Sequence, residues 1–257
     1  MAVSYSRQDA IGVITLDRPP ANSYDKGFLD ELSTAIDAAR WDIEAKAILL
    51  RSASEKFFSA GADVAWFAKS DPEQQHLFVI HANEVMGKFE RTPKVVVAAI
   101  NGHCLGGGLE IALSCDFRVA ADGQYRIGLP EVTLGLLPGT GGTQRLPRLI
   151  GKQKALDLML RGTAIAPTQA LELGIVDEVV PAADVQSKAM ERAQAYATGP
   201  TLAIGRIKLA TVLGYGMPFA GGLAYEHEAV ARLFASEDAK EGFKSFAEKR
   251  KPEYRGR

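Results

Sequence analysis

Lys94-Val-Val-Val-Ala-Ala-Ile100 runs without a break into Asn101-Gly-His-Cys-Leu-Gly-Gly-Gly-Leu-Glu110 and on into Ile111-Ala-Leu-Ser114. Every position from Val95 to Ile100 is apolar, which suits a strand buried on both faces. Leu109 to Ser114 reads as a short helix, and Phe117 to Ala120 as the next strand. A strand that feeds glycines into a helix start leaves backbone N–H groups free at the positive end of the helix dipole, and such a place binds anions. Upstream, Ile11 to Leu16 and Ala47 to Leu50 read as strands on either side of a helix whose Phe28, Leu29, Leu32, Ala35, Ile36 and Ala39 share one face. Strands alternating with helices predict an α/β domain.

The glycine run narrows the chemistry. A phosphate cradle would need a Lys-Ser/Thr pair, and a dinucleotide fingerprint would need Gly or Ala where Ile111 stands after Gly106-x-Gly108. Two readings remain open. The glycines either permit close packing of helix on strand, or let a carbonyl oxygen approach a backbone N–H as it gains charge, which is an oxyanion hole. Glu110 lies three residues beyond Gly107, so both share a helix face; an acid in a first turn also simply complements the dipole. Glu131 sits in Gly128-Leu-Pro-Glu-Val-Thr133, where Pro130 can open a helix and apolar neighbours would raise a carboxyl toward the range useful for proton transfer.

After about Pro130 the pattern changes. Turn residues cluster at Pro138-Gly-Thr-Gly-Gly142, and the remainder is mostly amphipathic helix with one strand-like run, Ile175 to Val180. A final helix is capped by Ser236, begins with Glu237 and Asp238, carries Lys249 to Lys251 in its last turn and is stopped by Pro252. The 30 basic and 31 acidic residues leave a net charge of −1 with no long run of either sign, so nucleic acid is not an expected partner. Met1 to Asp9 is short and polar, and no apolar run approaches the length of a membrane span, so a cytoplasmic protein without a membrane partner is expected. Cys104 and Cys115 lie in apolar surroundings and read as small buried hydrophobes. His76 and His81 stand roughly 140° apart around a helix while His103 and His227 are isolated, so no metal site is expected. Ser114, His103 and Asp116 lack the elbow sequence of a nucleophilic triad.

Five ordered segments join these pieces: Phe58-Ser-Ala-Gly-Ala-Asp63, Ile100 to Ala112 with Cys115-Asp116, Leu129 to Gly139, Gly141-Gly-Thr-Gln-Arg-Leu146, and the closing Phe246-Ala-Glu-Lys-Arg-Lys-Pro-Glu-Tyr-Arg-Gly256. In them the chain resembles the crotonase, or enoyl-CoA hydratase/isomerase, superfamily over nearly its whole length. The resemblance implies a crotonase-like (ββα) spiral core over residues 1–195 and a C-terminal helical oligomerisation region over 196–257. It places the family's oxyanion-hole donors on the N–H groups of Ala62 and Gly107, and its catalytic glutamates on Glu110, which activates water, and Glu131, which protonates Cα. Ala60, Ala62, Asp63, Val64, Gly106 and Gly107 would contact an acyl-CoA substrate, and Trp66, Phe67 and the helix Gln74 to Phe89 would line the acyl pocket. Water addition on this plan needs neither metal nor redox cofactor, CoA being part of the substrate. Homotrimers or homohexamers are implied. Asn22-Ser-Tyr-Asp25 departs from the family's frequent Ala-Leu wording at its middle pair. The expected activity is hydration of a trans-2-enoyl-CoA to a 3-hydroxyacyl-CoA or the reverse dehydration; an isomerase, another acyl-thioester enzyme such as a decarboxylase, or a scaffold without catalysis are the alternatives.

Overall fold

The computed structural model describes residues 1–257. A large sheet contains β1 (Val3–Gln8), β2 (Ile11–Leu16), β3 (Ala47–Ser52), β5 (Val95–Ile100), β7 (Phe117–Ala121) and β10 (Glu178–Val180) in that spatial order, antiparallel at β1–β2 and parallel elsewhere. A smaller sheet contains β4 (Phe57–Ser59), β6 (His103–Leu105), β8 (Ile127–Gly128) and β9 (Ala164–Ile165), with β4, β6 and β8 parallel. The helices are α1 (Lys26–Trp41), α2 (Val64–Phe67), α3 (Pro72–Glu90), α4 (Gly107–Leu113), α5 (Gly142–Ile150), α6 (Lys152–Arg161), α7 (Pro167–Leu173), α8 (Val185–Ala197), α9 (Thr201–Gly214), α10 (Phe219–Phe234) and α11 (Glu237–Glu248).

The chain repeatedly lays one strand in the large sheet, the next in the small sheet, and then a helix: β3-β4-α3, β5-β6-α4, β7-β8-α5. This is the expected (ββα) spiral. The inner strands β2, β3, β5 and β7 are buried almost throughout, which is why they read as mostly apolar runs. Val95, Val97 and Ala99 pack with Ala189 and Ala193 of α8, while Val96, Ala98 and Ile100 face the main core with α1 and α3.

Three local expectations are corrected. Met1 to Asp9, read only as short and polar, contains the antiparallel edge strand Val3–Gln8. Ile175 and Val176 are buried but their N–H groups donate to the Ala170 carbonyl, closing α7, so only Glu178–Val180 pairs as a strand. The final helix ends at Glu248, because Lys249 takes a left-handed φ of 53° and Arg250 turns back onto Glu241 (Nη2 to Oε2, 3.0 Å). Residue 195 falls inside the last turn of α8, and the C-terminal helices begin at Thr201.

Candidate active site

The parallel strands of the small sheet deliver the candidate residues from their carboxyl ends, the side on which α/β sheets bind ligands. β4 leads to Ala60–Ala62, β6 leads through Gly106 to Gly107 and Glu110, and β8 leads to a 3-10 helix, Glu131–Leu134. Pairing of Cys104 with Ile127 and Leu105 with Gly128, continued by the Gly106 N–H donating to the Gly128 carbonyl (2.9 Å), brings the second and third exits side by side. The 61–62 turn is tied to Tyr24, whose N–H donates to the Gly61 carbonyl and whose carbonyl accepts from the Asp63 N–H, both at 2.9 Å.

Gly61 adopts φ +91°, and a Cβ on it would lie 2.8 Å from the Gly107 nitrogen, so the turn after β4 abuts the start of α4. Gly107 is the first residue of α4, where an N–H has no intrahelical acceptor. Neither its N–H nor that of Ala62 donates to a protein acceptor. Two free donors therefore stand at one helix start.

Glu110 is 2% exposed and held by three donors. Its Oε1 accepts from the Thr140 N–H (2.8 Å) and the Gly142 N–H (2.7 Å) at the start of α5, and its Oε2 accepts from the Thr140 hydroxyl. An ionised carboxylate offers about four acceptor positions. Three are filled here, leaving one on Oε2. Burial pushes the Glu110 carboxyl above its ordinary range, opposed by these hydrogen bonds. The turn that supplies them is braced by Arg145, which donates to the Thr140 carbonyl (2.8 Å) and pairs with Glu90 (2.8 Å).

Glu131 contrasts with it. Its Oε2 is buried with no hydrogen-bond partner, and its Oε1 lies where a Cβ on Gly106 would come within 3.0 Å. Burial, reinforced by the charge of Glu110, raises this carboxyl to about 7, against an opposing hydrogen bond from its own backbone. Two carboxyls that feel one another thus differ in kind: one caged by donors, the other with one oxygen unpartnered and balanced between its forms near neutral pH.

The other expected contact residues are placed less uniformly. The Ala60 N–H is spent on the Ala21 carbonyl (2.9 Å), Asp63 caps α2 through the N–H groups of Ala65 and Trp66 and lies 3.6 Å from Arg18, and Val64 is exposed. Trp66, Phe67 and Phe78 form an aromatic cluster with centroids 4.9–5.2 Å apart, and Tyr24 stacks on Phe78 at 5.9 Å. Ser114, His103 and Asp116 do not meet as a triad: they bond respectively to the Ile111 carbonyl, the Arg126 N–H and Lys208. Sequence reasoning missed Thr140, Gly142 and Tyr24 as members of the site. The Pro138-Gly-Thr-Gly-Gly142 turn and the unusual Tyr24 were the signals available.

A sequence profile described as enoyl-CoA hydratase/isomerase matches residues 6–257. The chain belongs to the enoyl-CoA hydratase/isomerase family. Within that family it is 37% identical over 261 residues to a probable enoyl-CoA hydratase of Bacillus subtilis (strain 168), covering 99% of each chain. It is 37% identical over 252 residues to the short-chain-enoyl-CoA hydratase of Clostridium acetobutylicum, covering 98% of this chain and 96% of the relative. The crystal structure of an enoyl-CoA hydratase from Geobacillus kaustophilus HTA426 superposes with a TM-score of 0.97 at 44% identity, over 100% of this chain and 97% of the other. No helix of this family member is long and apolar enough to cross a membrane.

Proposed function

We propose that this chain is an enoyl-CoA hydratase, adding water syn across the double bond of a trans-2-enoyl-CoA to give a 3-hydroxyacyl-CoA, and catalysing the reverse dehydration. The thioester carbonyl accepts from the N–H groups of Ala62 and Gly107, which stabilise the enolate-like charge as it develops. Water occupies the open acceptor position on Glu110; Glu110 takes its proton as the oxygen attacks Cβ. Protonated Glu131 delivers a proton to Cα: the enolate double-bond pair forms the Cα–H bond as a lone pair on the enolate oxygen re-forms the thioester carbonyl. CoA enters as part of the substrate, lying along 60–64, and the acyl group rests against the Trp66, Phe67 and Phe78 cluster. The scheme uses no metal and no redox cofactor.

The observation that carries the proposal is the pairing of a caged, ionisable Glu110 with a Glu131 whose Oε2 has no partner and whose carboxyl is raised to about 7, beside two free N–H donors. The test is the conjugated-thioester ultraviolet absorbance of crotonyl-CoA mixed with purified protein. Rapid loss, abolished by Glu110→Gln and by Glu131→Gln, is expected; unchanged absorbance with the wild-type protein overturns the activity. A trimer or hexamer belongs to the same proposal, supported by the apolar side chains exposed on the C-terminal helices, among them Ile207, Phe219, Phe234, Phe243 and Phe246. A sedimentation mass of one chain would contradict it. A cytoplasmic location is likewise proposed, to be tested by fractionating cells that carry a tagged copy.

A further inference from the structure

One buried polar side chain beside the glutamates is not used by the mechanism. Tyr24 is 1% exposed, and its ring is fixed by Phe78, stacked at 9°, and by Phe28 at 6.2 Å. Its backbone is pinned to Gly61 and Asp63 on both sides, so the hydroxyl has little freedom to point elsewhere. That oxygen lies over Gly107, where any Cβ would overlap it, and 3.3 Å from Thr140 Oγ1.

The direction of the contact follows from the inventory of donors. Thr140 has one hydroxyl hydrogen and gives it to Glu110 Oε2, so toward Tyr24 it can only accept. Burial and the charge of Glu110 push the Tyr24 phenol far up, keeping it protonated and able to donate. The hydrogen bonds therefore run one way, from the Tyr24 hydroxyl to the Thr140 hydroxyl to Glu110. Without the first, Thr140 Oγ1 could rotate its hydrogen off the carboxylate.

We propose that Tyr24 is a positioning residue for the hydration reaction: its hydroxyl orients the Thr140 hydroxyl onto Glu110 Oε2, fixing the carboxylate so that its one open acceptor position faces the water. This rests on the hydratase reading, and only a wild-type enzyme that hydrates crotonyl-CoA puts it to the test; inactive wild-type protein would sink that reading instead.

Tyr24→Phe keeps the ring and its stacking and removes only the oxygen. Relative to wild type, kcat for crotonyl-CoA hydration is expected to fall about five- to thirtyfold, the worth of one buried hydrogen bond, with KM changed less than about twofold. The acid limb of the kcat profile moves to higher pH as Glu110 loses support. In a Thr140→Val background, Tyr24→Phe produces no further loss, whereas in Thr140→Ser, which keeps a hydroxyl, the loss returns. Thermal melts establish that each variant folds, and the Thr140→Val comparison reads the coupling on kcat ratios. Wild-type kcat in Tyr24→Phe, a change in KM alone, or losses that multiply independently with Thr140→Val would each overturn the proposal.

Discussion

Glu131 shows what a buried carboxyl with an unpartnered oxygen costs the fold. Its ordinary value of 4.5 is raised to about 7, so between those pH values the native state binds more protons than the unfolded chain and stability falls as pH rises. Below about 4.5 both states are protonated and the penalty vanishes. Discounted for its partly exposed setting, the penalty at pH 8 is about 1–2 kcal/mol. Glu131→Gln is therefore expected to be more stable than wild type by that amount in urea at pH 8, with the gap closing by pH 4; a gap independent of pH would show that charge is not its cause. In the proposed mechanism the same group sets the pH dependence of the rate. Turnover in either direction needs one proton on the pair, on Glu131 for hydration and on Glu110 for dehydration, so kcat/KM should fall about tenfold per unit above pH 7 in both directions. A profile flat to pH 9 would remove Glu131 from the proton transfer. Both glutamates were singled out in the sequence by the resemblance, since a first-turn acid alone also reads as dipole complementation. Thr140 was less so: it holds Glu110 across 30 positions of chain, and hydrogen bonding at that separation leaves no periodic trace. Tyr24 stood out as a departure, but only packing against Gly107 and Thr140 gives the departure a meaning.

At the level of elements, the long apolar strands and amphipathic helices followed from periodicity, while the small sheet did not. β8 and β9 have two residues each, too few for any period to register, yet β8 is what carries Glu131 to Gly106. β1 alternates Val3, Ser4, Tyr5, Ser6 in the manner of an edge strand, and its polar positions hid it. The closeness of α4 to β4 is the feature on which the two free N–H groups depend, and glycine substitutions test it. A Cβ on Gly108 would overlap the Ser59 carbonyl, a backbone group that cannot swing aside, so Gly108→Ala must lift α4 off β4. A loss of about 1–3 kcal/mol and of most hydration activity is expected. Gly87, inside α3, has nothing within 4 Å of an added Cβ, and Gly87→Ala should instead stabilise by about 0.5–1 kcal/mol with activity retained. Equal effects of the two substitutions on melting temperature would mean that helix propensity, not the α4–β4 contact, governs Gly108.

Across the whole molecule, one side chain decides whether the C-terminal helices are an appendix or part of the core. Lys208 of α9 buries its ammonium against Asp116 Oδ2 at 2.7 Å and donates to the carbonyls of Phe89 (2.8 Å) and Lys94 (2.9 Å). Those partners come from the end of α3, the entry to β5 and the turn between α4 and β7, so three core segments converge on one residue of α9. The Asp116 carboxylate also accepts from the Val96 N–H (2.7 Å) and is pushed up by burial, which the Lys208 charge opposes. Removing the cation alone leaves a buried carboxylate unpaired, and Lys208→Met is expected to cost about 3–5 kcal/mol in urea unfolding. Lys208→Met combined with Asp116→Asn, which removes both charges, should recover part of that loss, since the penalty lies in the unmatched partner more than in the absent bond. Amide exchange in α9 distinguishes local from global release. Faster exchange there with β5 unchanged means that α9 detaches alone, whereas a loss below about 1 kcal/mol with unchanged exchange would show that apolar packing alone docks the helix.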